Sequence, residues 1–168
     1  MPLLILHNIR SIHNVGSIFR TADAAGVSQI ILTGYTPTPL DRFGRERKDF
    51  VKVSLGAEKS VPWKAAKQLT PVLKKFKKDG YTVLAIEQNK KSTSLFEYVH
   101  NLRRSEVGTP TKASRKVAVV LGNEVLGISP QSLKYADYIL EIPMHGKKES
   151  LNVAVAAGIA LFALLKRI

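Results

Sequence analysis

Three short polar constellations interrupt a chain otherwise rich in apolar runs, and each could do chemistry. The first is Asn14-x-Gly16-x-x-x-Arg20. A fixed guanidinium such as Arg20 can stabilise developing negative charge or hold a phosphate. Gly16 near a helix start would let an anion approach backbone N–H groups. The second is Gly122-Asn123-Glu124-x-x-Gly127, a loop bracketed by glycines and carrying one acid. The third is Ile142-Pro143-Met144-x-Gly146-x-x-x-Ser150-Leu151-Asn152, which offers a hydroxyl and an amide beside a strand end. Each also has a plain explanation. Arg20 could serve a surface ion pair, Glu124 a helix-start acid, and Ser150 a helix cap. The 122–127 loop has the glycine spacing of a P-loop, but Ile128-Ser129 stands where Lys-Ser/Thr is required. It is not the G-x-G-x-x-G dinucleotide fingerprint either.

The elements that must position these groups read as alternating strands and helices. Residues 3–6 form a short apolar strand and 7–14 a polar loop. Residues 15–25 form a helix with Asn14 as N-cap and Gly26 as its end; Val15, Ile18, Phe19, Ala22 and Ala25 recur at helical spacing. Residues 29–33 are the next strand, so the unit is βαβ and the sheet parallel. The continuous apolar run 117–121 is the central strand of such a sheet. Residues 138–144 are another strand, and Pro143 ends its pairing. A last helix starts with Ser150 as N-cap and runs to 165, with Asn152 its only clearly polar residue. A helix apolar all round belongs in a core or against a partner. Strand end, polar loop and helix start is where open α/β sheets place ligands.

The middle of the chain is less periodic. Residues 34–62 hold prolines, glycines and mixed charges, and read as a long substrate-contacting loop. Residues 63–78 read as a helix with Trp63, Ala66, Leu69, Leu73 and Phe76 on one face and a break at Thr70-Pro71. Its six lysines form either a phosphate-binding face or a solvated one. A strand at 81–87, a polar loop at 88–94 and a helical turn at 95–99 follow. Residues 101–116 form a basic linker, and a short helix begins after Ser129-Pro130. No repeat or boundary divides residues 1–168, so a single domain is expected.

Charge narrows the partner. Lys plus Arg number 26 against 13 Asp plus Glu, a formal +13 in 168 residues. Such an excess favours a polyanion, because each phosphate neutralised releases condensed counterions. The absence of cysteine excludes disulfides and thiolate metal sites. No signal peptide or membrane span is recognised, so a cytoplasmic protein with neither membrane nor metal partner is expected.

Taken together and in this order, the three constellations resemble the SpoU/TrmH family of RNA ribose 2′-O-methyltransferases in the SPOUT superfamily. The correspondence runs through Asn14, Gly16, Arg20 and Ala22, through Gly122, Glu124 and Gly127, and through Ile142, Pro143, Met144, Gly146 and Ser150-Leu151-Asn152-Val153. The resemblance implies an α/β fold, a mostly parallel sheet flanked by helices, with a C-terminal trefoil knot. It implies S-adenosyl-L-methionine as cofactor, a homodimer, and methyl transfer to a ribose 2′-hydroxyl of RNA, with tRNA ahead of rRNA.

By the same resemblance Arg20 takes the central role at the ribose hydroxyl, supported by Asn14, Glu124, Ser150 and Asn152. The cofactor contacts implied are Ile86, Glu87, Gly122, Glu124, Gly127, Ile142, Met144, Ser150 and Leu151. Arginine is too weak an acid to act as a general base, so Arg20 is read as orienter and electrostatic stabiliser. The proton acceptor stays unassigned, with His13 a candidate. RNA grip is expected from residues 34–62, the Lys-rich helix and residues 101–116. Two alternatives remain open: a basic RNA-binding protein without catalysis, and a base methyltransferase of the same superfamily.

Overall fold

The computed structural model describes residues 2–105 and 116–165, apart from the side chains of Arg103 and Ser105. The described elements are β1 (Leu3–His7), α1 (Ile12–Ala25), β2 (Gln29–Thr33), α2 (Lys48–Ser54), α3 (Ala57–Ser60), β3 (Trp63–Ala66) and α4 (Leu69–Lys78). They continue with β4 (Thr82–Ile86), β5 (Thr93–Ser94), α5 (Leu95–Ser105), β6 (Val117–Leu121), α6 (Pro130–Leu133), β7 (Tyr138–Glu141) and α7 (Val153–Leu164). The strands form one seven-stranded sheet in the order β3-β2-β1-β6-β4-β7-β5. Every pairing between neighbours is parallel. The expected α/β class with a parallel sheet is therefore the observed one, and β6 lies at its centre.

Side-chain alternation divides the core. Leu4 and Leu6 of β1, with Val119 and Leu121 of β6, face the layer that holds α1, α2 and α7. Leu3 and Ile5, with Ala118 and Val120, face the layer that holds α4 and α6. Phe19 of α1 meets Phe50 of α2 edge-on, with ring centroids 5.2 Å apart. Gly16 lets the two helices approach closely: a Cβ there would lie 3.1 Å from Val53 Cβ and 3.3 Å from the Phe50 carbonyl oxygen. Gly16 thus serves helix packing rather than an anion.

Several sequence expectations need correction. α1 begins at Ile12 with Ser11 as its cap, whose Oγ accepts from the Asn14 N–H at 3.3 Å. Asn14 lies inside the first turn, so its side chain is released from capping. Residues 63–78 are not one helix: Trp63–Ala66 is an edge strand and the helix starts at Leu69. Residues 34–62 are not all loop, because α2 and α3 fill their second half. β7 stops at Glu141, and α7 is capped by Asn152 rather than Ser150. The 95–99 turn extends to a helix ending at Ser105; the rest of the expected basic linker, 106–115, lies outside the described residues. α7 is only partly covered: Ala157, Ala160 and Leu161 are buried, while Val155 is 51% exposed.

Candidate active site

Because the sheet is parallel, all its carboxyl ends lie along one edge, and the loops that follow β4, β6 and β7 gather there. They enclose a cavity of about 350 Å³, within the range of small-molecule sites. All nine residues expected at the cofactor line it: Ile86, Glu87, Gly122, Glu124, Gly127, Ile142, Met144, Ser150 and Leu151. Four carboxylates, those of Glu87, Glu124, Glu141 and Glu149, are among the lining groups, and among the described residues no lysine or arginine is. An acid-lined cleft in so basic a chain is an electrostatic feature that invites a cationic ligand.

The loop after β6 owes its shape to three groups. The Asn123 side chain is buried; its Nδ2 donates to the Asn8 carbonyl at 2.8 Å and to the Tyr35 hydroxyl at 2.9 Å. Its Oδ1 accepts from the N–H groups of Val125 at 2.9 Å and Leu126 at 2.7 Å. That is the local turn an asparagine side chain favours. Gly122 closes against the far side of the loop: a Cβ there would lie 2.6 Å from Ile128 Cγ1 and 2.7 Å from the Gly127 carbonyl carbon. Gly127 has φ +62°, and a Cβ would meet Glu87 Oε2 at 2.5 Å. The glycines are required by the loop's own closure.

Glu87 ties that loop to β4. Its carboxylate accepts from the Ile128 N–H at 2.9 Å. Burial pushes the Glu87 carboxyl above its ordinary value, against the opposing pull of the Ile128 and Gln88 amides. At the end of the adjacent strand β7, Ser92 Oγ donates to Glu141 at 2.5 Å.

Beside the cavity the three sequence constellations meet in one hydrogen-bonded chain. Asn14 Nδ2 donates to Glu124 Oε1 at 3.2 Å. Asn152 Nδ2 donates to Asn14 Oδ1 at 3.1 Å. Glu124 Oε2 also accepts from the Arg10 N–H at 3.4 Å. Ser150 is exposed at the cavity wall. Arg20 is not brought into this cluster. Six residues beyond Asn14, it sits about 9 Å along the helix and about 120° around it. It is exposed and does not line the cavity, and its side chain has no hydrogen bond or ion pair among the described residues. His13 is likewise exposed and outside the cavity.

Sequence reading missed Asn8, Tyr35 and Asn123. Asn8 takes φ 56°, which Asn tolerates better than most residues, and its Oδ1 accepts from the Tyr35 N–H at 3.2 Å. Asn123 carried a usable signal: an asparagine just after a strand and before a glycine-ended turn. Among the described residues no group of acidic and histidine side chains could hold a metal ion, and no helix is long and apolar enough to cross a membrane.

Known proteins resemble this chain in sequence and fold. A profile of the SpoU rRNA methylase family matches residues 1–162. The chain is 33% identical over 165 residues to the Xylella fastidiosa 23S rRNA (guanosine-2′-O-)-methyltransferase RlmB, covering 98% of this chain and 58% of the relative. It is 31% identical to the Escherichia coli enzyme of the same name, covering 60% of it. The chain therefore spans about six-tenths of the length of these curated relatives. A solved TrmH/SpoU tRNA modifying enzyme of A. aeolicus superposes with TM-score 0.78 at 26% identity, over 99% of this chain and 74% of that one. An AdoMet-bound rRNA methyltransferase from Sinorhizobium meliloti gives TM-score 0.79 at 28% identity, over 99% of this chain and 56% of that one. With the family profile spanning nearly its whole length, this chain belongs to the SpoU rRNA methylase family.

Proposed function

We propose that this chain transfers a methyl group from S-adenosyl-L-methionine to a ribose 2′-hydroxyl of RNA. The observation that carries the reading is the acid-lined cleft at the carboxyl edge of the sheet. The cofactor brings an activated methyl group on a positively charged sulfonium. Glu87, Glu124, Glu141 and Glu149 supply a field that favours a cation. The same field disfavours the pyrophosphate of a dinucleotide, which argues against a nucleotide-dependent oxidoreductase. Ile86, Leu121, Ile142 and Met144 give the cleft apolar wall, so the residues present fit a ligand that is part apolar and part cationic.

In the transfer an oxygen–carbon bond forms, a carbon–sulfur bond breaks, and the hydroxyl proton leaves. Asn14, Glu124 and Asn152 form a fixed polar rim where the ribose would be oriented. Arg20, exposed and uncommitted among the described residues, holds the adjoining phosphate and offsets alkoxide charge. Its place on the outer face of α1 calls for RNA, or a second subunit, to complete the site.

A homodimer belongs to the same proposal. Val155, exposed on the apolar α7, and Leu151 just before it are the surface that a second copy would cover. So does the trefoil knot implied by the resemblance: β7 enters the sheet between β4 and β5, and α7 returns to pack on α1. The relatives' names point to both RNA classes, 23S rRNA in Xylella and tRNA in A. aeolicus; tRNA ahead of rRNA remains our expectation. A cytoplasmic location follows from an RNA substrate.

Calorimetry tests the cofactor half. S-adenosylmethionine and S-adenosylhomocysteine should both bind, and Glu87→Gln should weaken the charged cofactor more than its neutral-sulfur product. Equal weakening would remove the electrostatic role of Glu87, and no binding of either would remove the cleft as the cofactor site.

A further inference from the structure

The segment between β2 and α2 carries a structure the cleft does not use. Residues 39–47 form a small hairpin: Leu40 and Glu46 make an antiparallel bridge, and the Arg47 N–H donates to the Pro39 carbonyl at 2.9 Å. Gly44 turns its tip at φ +76°. The Asp41 carboxylate clamps the turn. It accepts from the N–H groups of Phe43 at 2.8 Å and Arg45 at 3.0 Å, and from Arg45 Nε at 2.9 Å. These donors, the Arg45 amide foremost, hold the Asp41 carboxyl below its ordinary value.

The clamp presents Phe43 outward, 65% exposed. The Arg42 and Arg45 guanidiniums lie 4.7 and 4.9 Å from its ring centroid. A single exposed apolar side chain means little. An aromatic ring held in a clamped turn beside two guanidiniums is different. Rings and guanidinium planes both stack on nucleobases, and the cations match flanking phosphates. Charge favours the same occupant: Asp41 is spent on Arg45, and Glu46 on Lys59 at 3.1 Å, which leaves Arg42 without a carboxylate among the described residues.

The rival basic surface, α4, has two of its four lysines paired with carboxylates. Lys75 is paired with Asp79 at 2.6 Å, Lys77 with Asp137 at 2.6 Å, and Lys74 lies over Tyr135. Its lysines carry no exposed ring, and α4 packs on the sheet face away from α1. The hairpin, in contrast, leads into α2, which packs on the helix carrying Asn14. Tyr35, four residues before the hairpin, accepts from the Asn123 amide, next to Glu124.

We propose that the 41–45 tip is a stacking finger for single-stranded RNA, with Phe43 taking an unpaired base and Arg42 its flanking phosphate. This rests on the reading of RNA as substrate. The test is fluorescence anisotropy with a labelled single-stranded oligoribonucleotide and, in parallel, a duplex of the same length. Phe43→Ala and Phe43→Leu should weaken single-strand binding by roughly 5- to 140-fold, the range expected for loss of one base–aromatic stack. Phe43→Trp, which keeps a π-face, should bind as tightly as wild type, and duplex binding should be unchanged. Arg42→Ala should lower the slope of log affinity against log salt by about 0.7. S-adenosylhomocysteine affinity, measured on each variant, should stay at the wild-type value and so report an intact fold. Wild-type single-strand affinity in Phe43→Leu, or equal loss in Phe43→Trp, overturns the finger while leaving RNA as substrate. An altered sedimentation state with unaltered RNA binding reassigns the tip to contact between copies. Wild type that binds the cofactor product but neither RNA overturns the finger and the RNA substrate together.

Discussion

The side-chain amide of Asn152 donates to the Asn14 carbonyl oxygen at 3.1 Å, across 138 residues of sequence. The same Asn152 caps α7, its Oδ1 accepting from the Ala154 N–H at 2.9 Å. One residue therefore starts the last helix and fixes the polar rim contributed by the first, and Asn14 passes the connection to Glu124.

The two duties of Asn152 can be separated. Asn152→Ala removes both and should cost about 1 kcal/mol, the usual value of an N-cap. In a chain of this size that lowers Tm by about 2–4 °C. Asn152→Asp keeps an acceptor for the Ala154 N–H but loses the donor to Asn14. Thermal melts should return to the wild-type value, while methyl transfer stays impaired. Recovery of both would show that the bond to Asn14 has no part in the reaction.

Asn14 and Glu124 should behave as one unit. In a double-mutant cycle of Asn14→Ala and Glu124→Ala, read in kcat/KM, the losses should fall short of additivity by more than about 0.5 kcal/mol. Strict additivity would mean that the 3.2 Å bond between them does not organise the rim.

The half-buried Glu87 gives the fold a pH signature. Its pKa is raised above 4.5 on folding, with burial the main cause. The unfolded chain releases this proton near the ordinary value, and the folded chain holds it to higher pH. Between the two values the folded state binds more protons, so this group's contribution to stability falls as pH rises. Glu87→Gln lacks the titration. Denaturant melts should show the variant gaining on wild type as pH rises from 4.5, then levelling off. A difference that does not change with pH would place the Glu87 carboxyl in ordinary solvent.

Legibility followed the length and burial of each element. β2 matches its predicted bounds, and β6 likewise, because both are short, continuous apolar runs. β3 was hidden because Trp63, Ala66, Leu69, Leu73 and Phe76 happen to recur at helical spacing. At an edge, with only four residues of mixed burial, it shows no period of its own. α2 was hidden for want of punctuation: Arg47 precedes it without a side-chain cap bond, and Leu55, not glycine, takes the left-handed position after it. At α1 and α7 two polar residues competed for each cap, and the structure chose Ser11 over Asn14 and Asn152 over Ser150. The motif residues of the cleft were legible through family resemblance. Their joining was not, because the Asn152–Asn14–Glu124 chain is a tertiary contact with no local pattern.

Closure of the loop after β6 should be intolerant of side chains. Gly127→Ala forces an L-residue to φ +62° and drives its Cβ against Glu87. A loss of at least about 1 kcal/mol is expected from the left-handed conformation alone, together with weaker binding of S-adenosylhomocysteine. Wild-type stability in denaturant melts would show that the loop has slack. Gly122→Trp should fail more severely, through misfolding of the loop, since Ile128 and Gly127 already occupy the space.

The most direct measurement is the position of the transferred methyl group. Wild-type protein is incubated with methyl-labelled S-adenosylmethionine and with tRNA and rRNA separately, and the RNA is digested to nucleosides for mass spectrometry. Label is expected on the ribose of one nucleoside, and none with Arg20→Ala, which should still bind S-adenosylhomocysteine as wild type does. Label on a base, or undiminished transfer by Arg20→Ala, would contradict this reading.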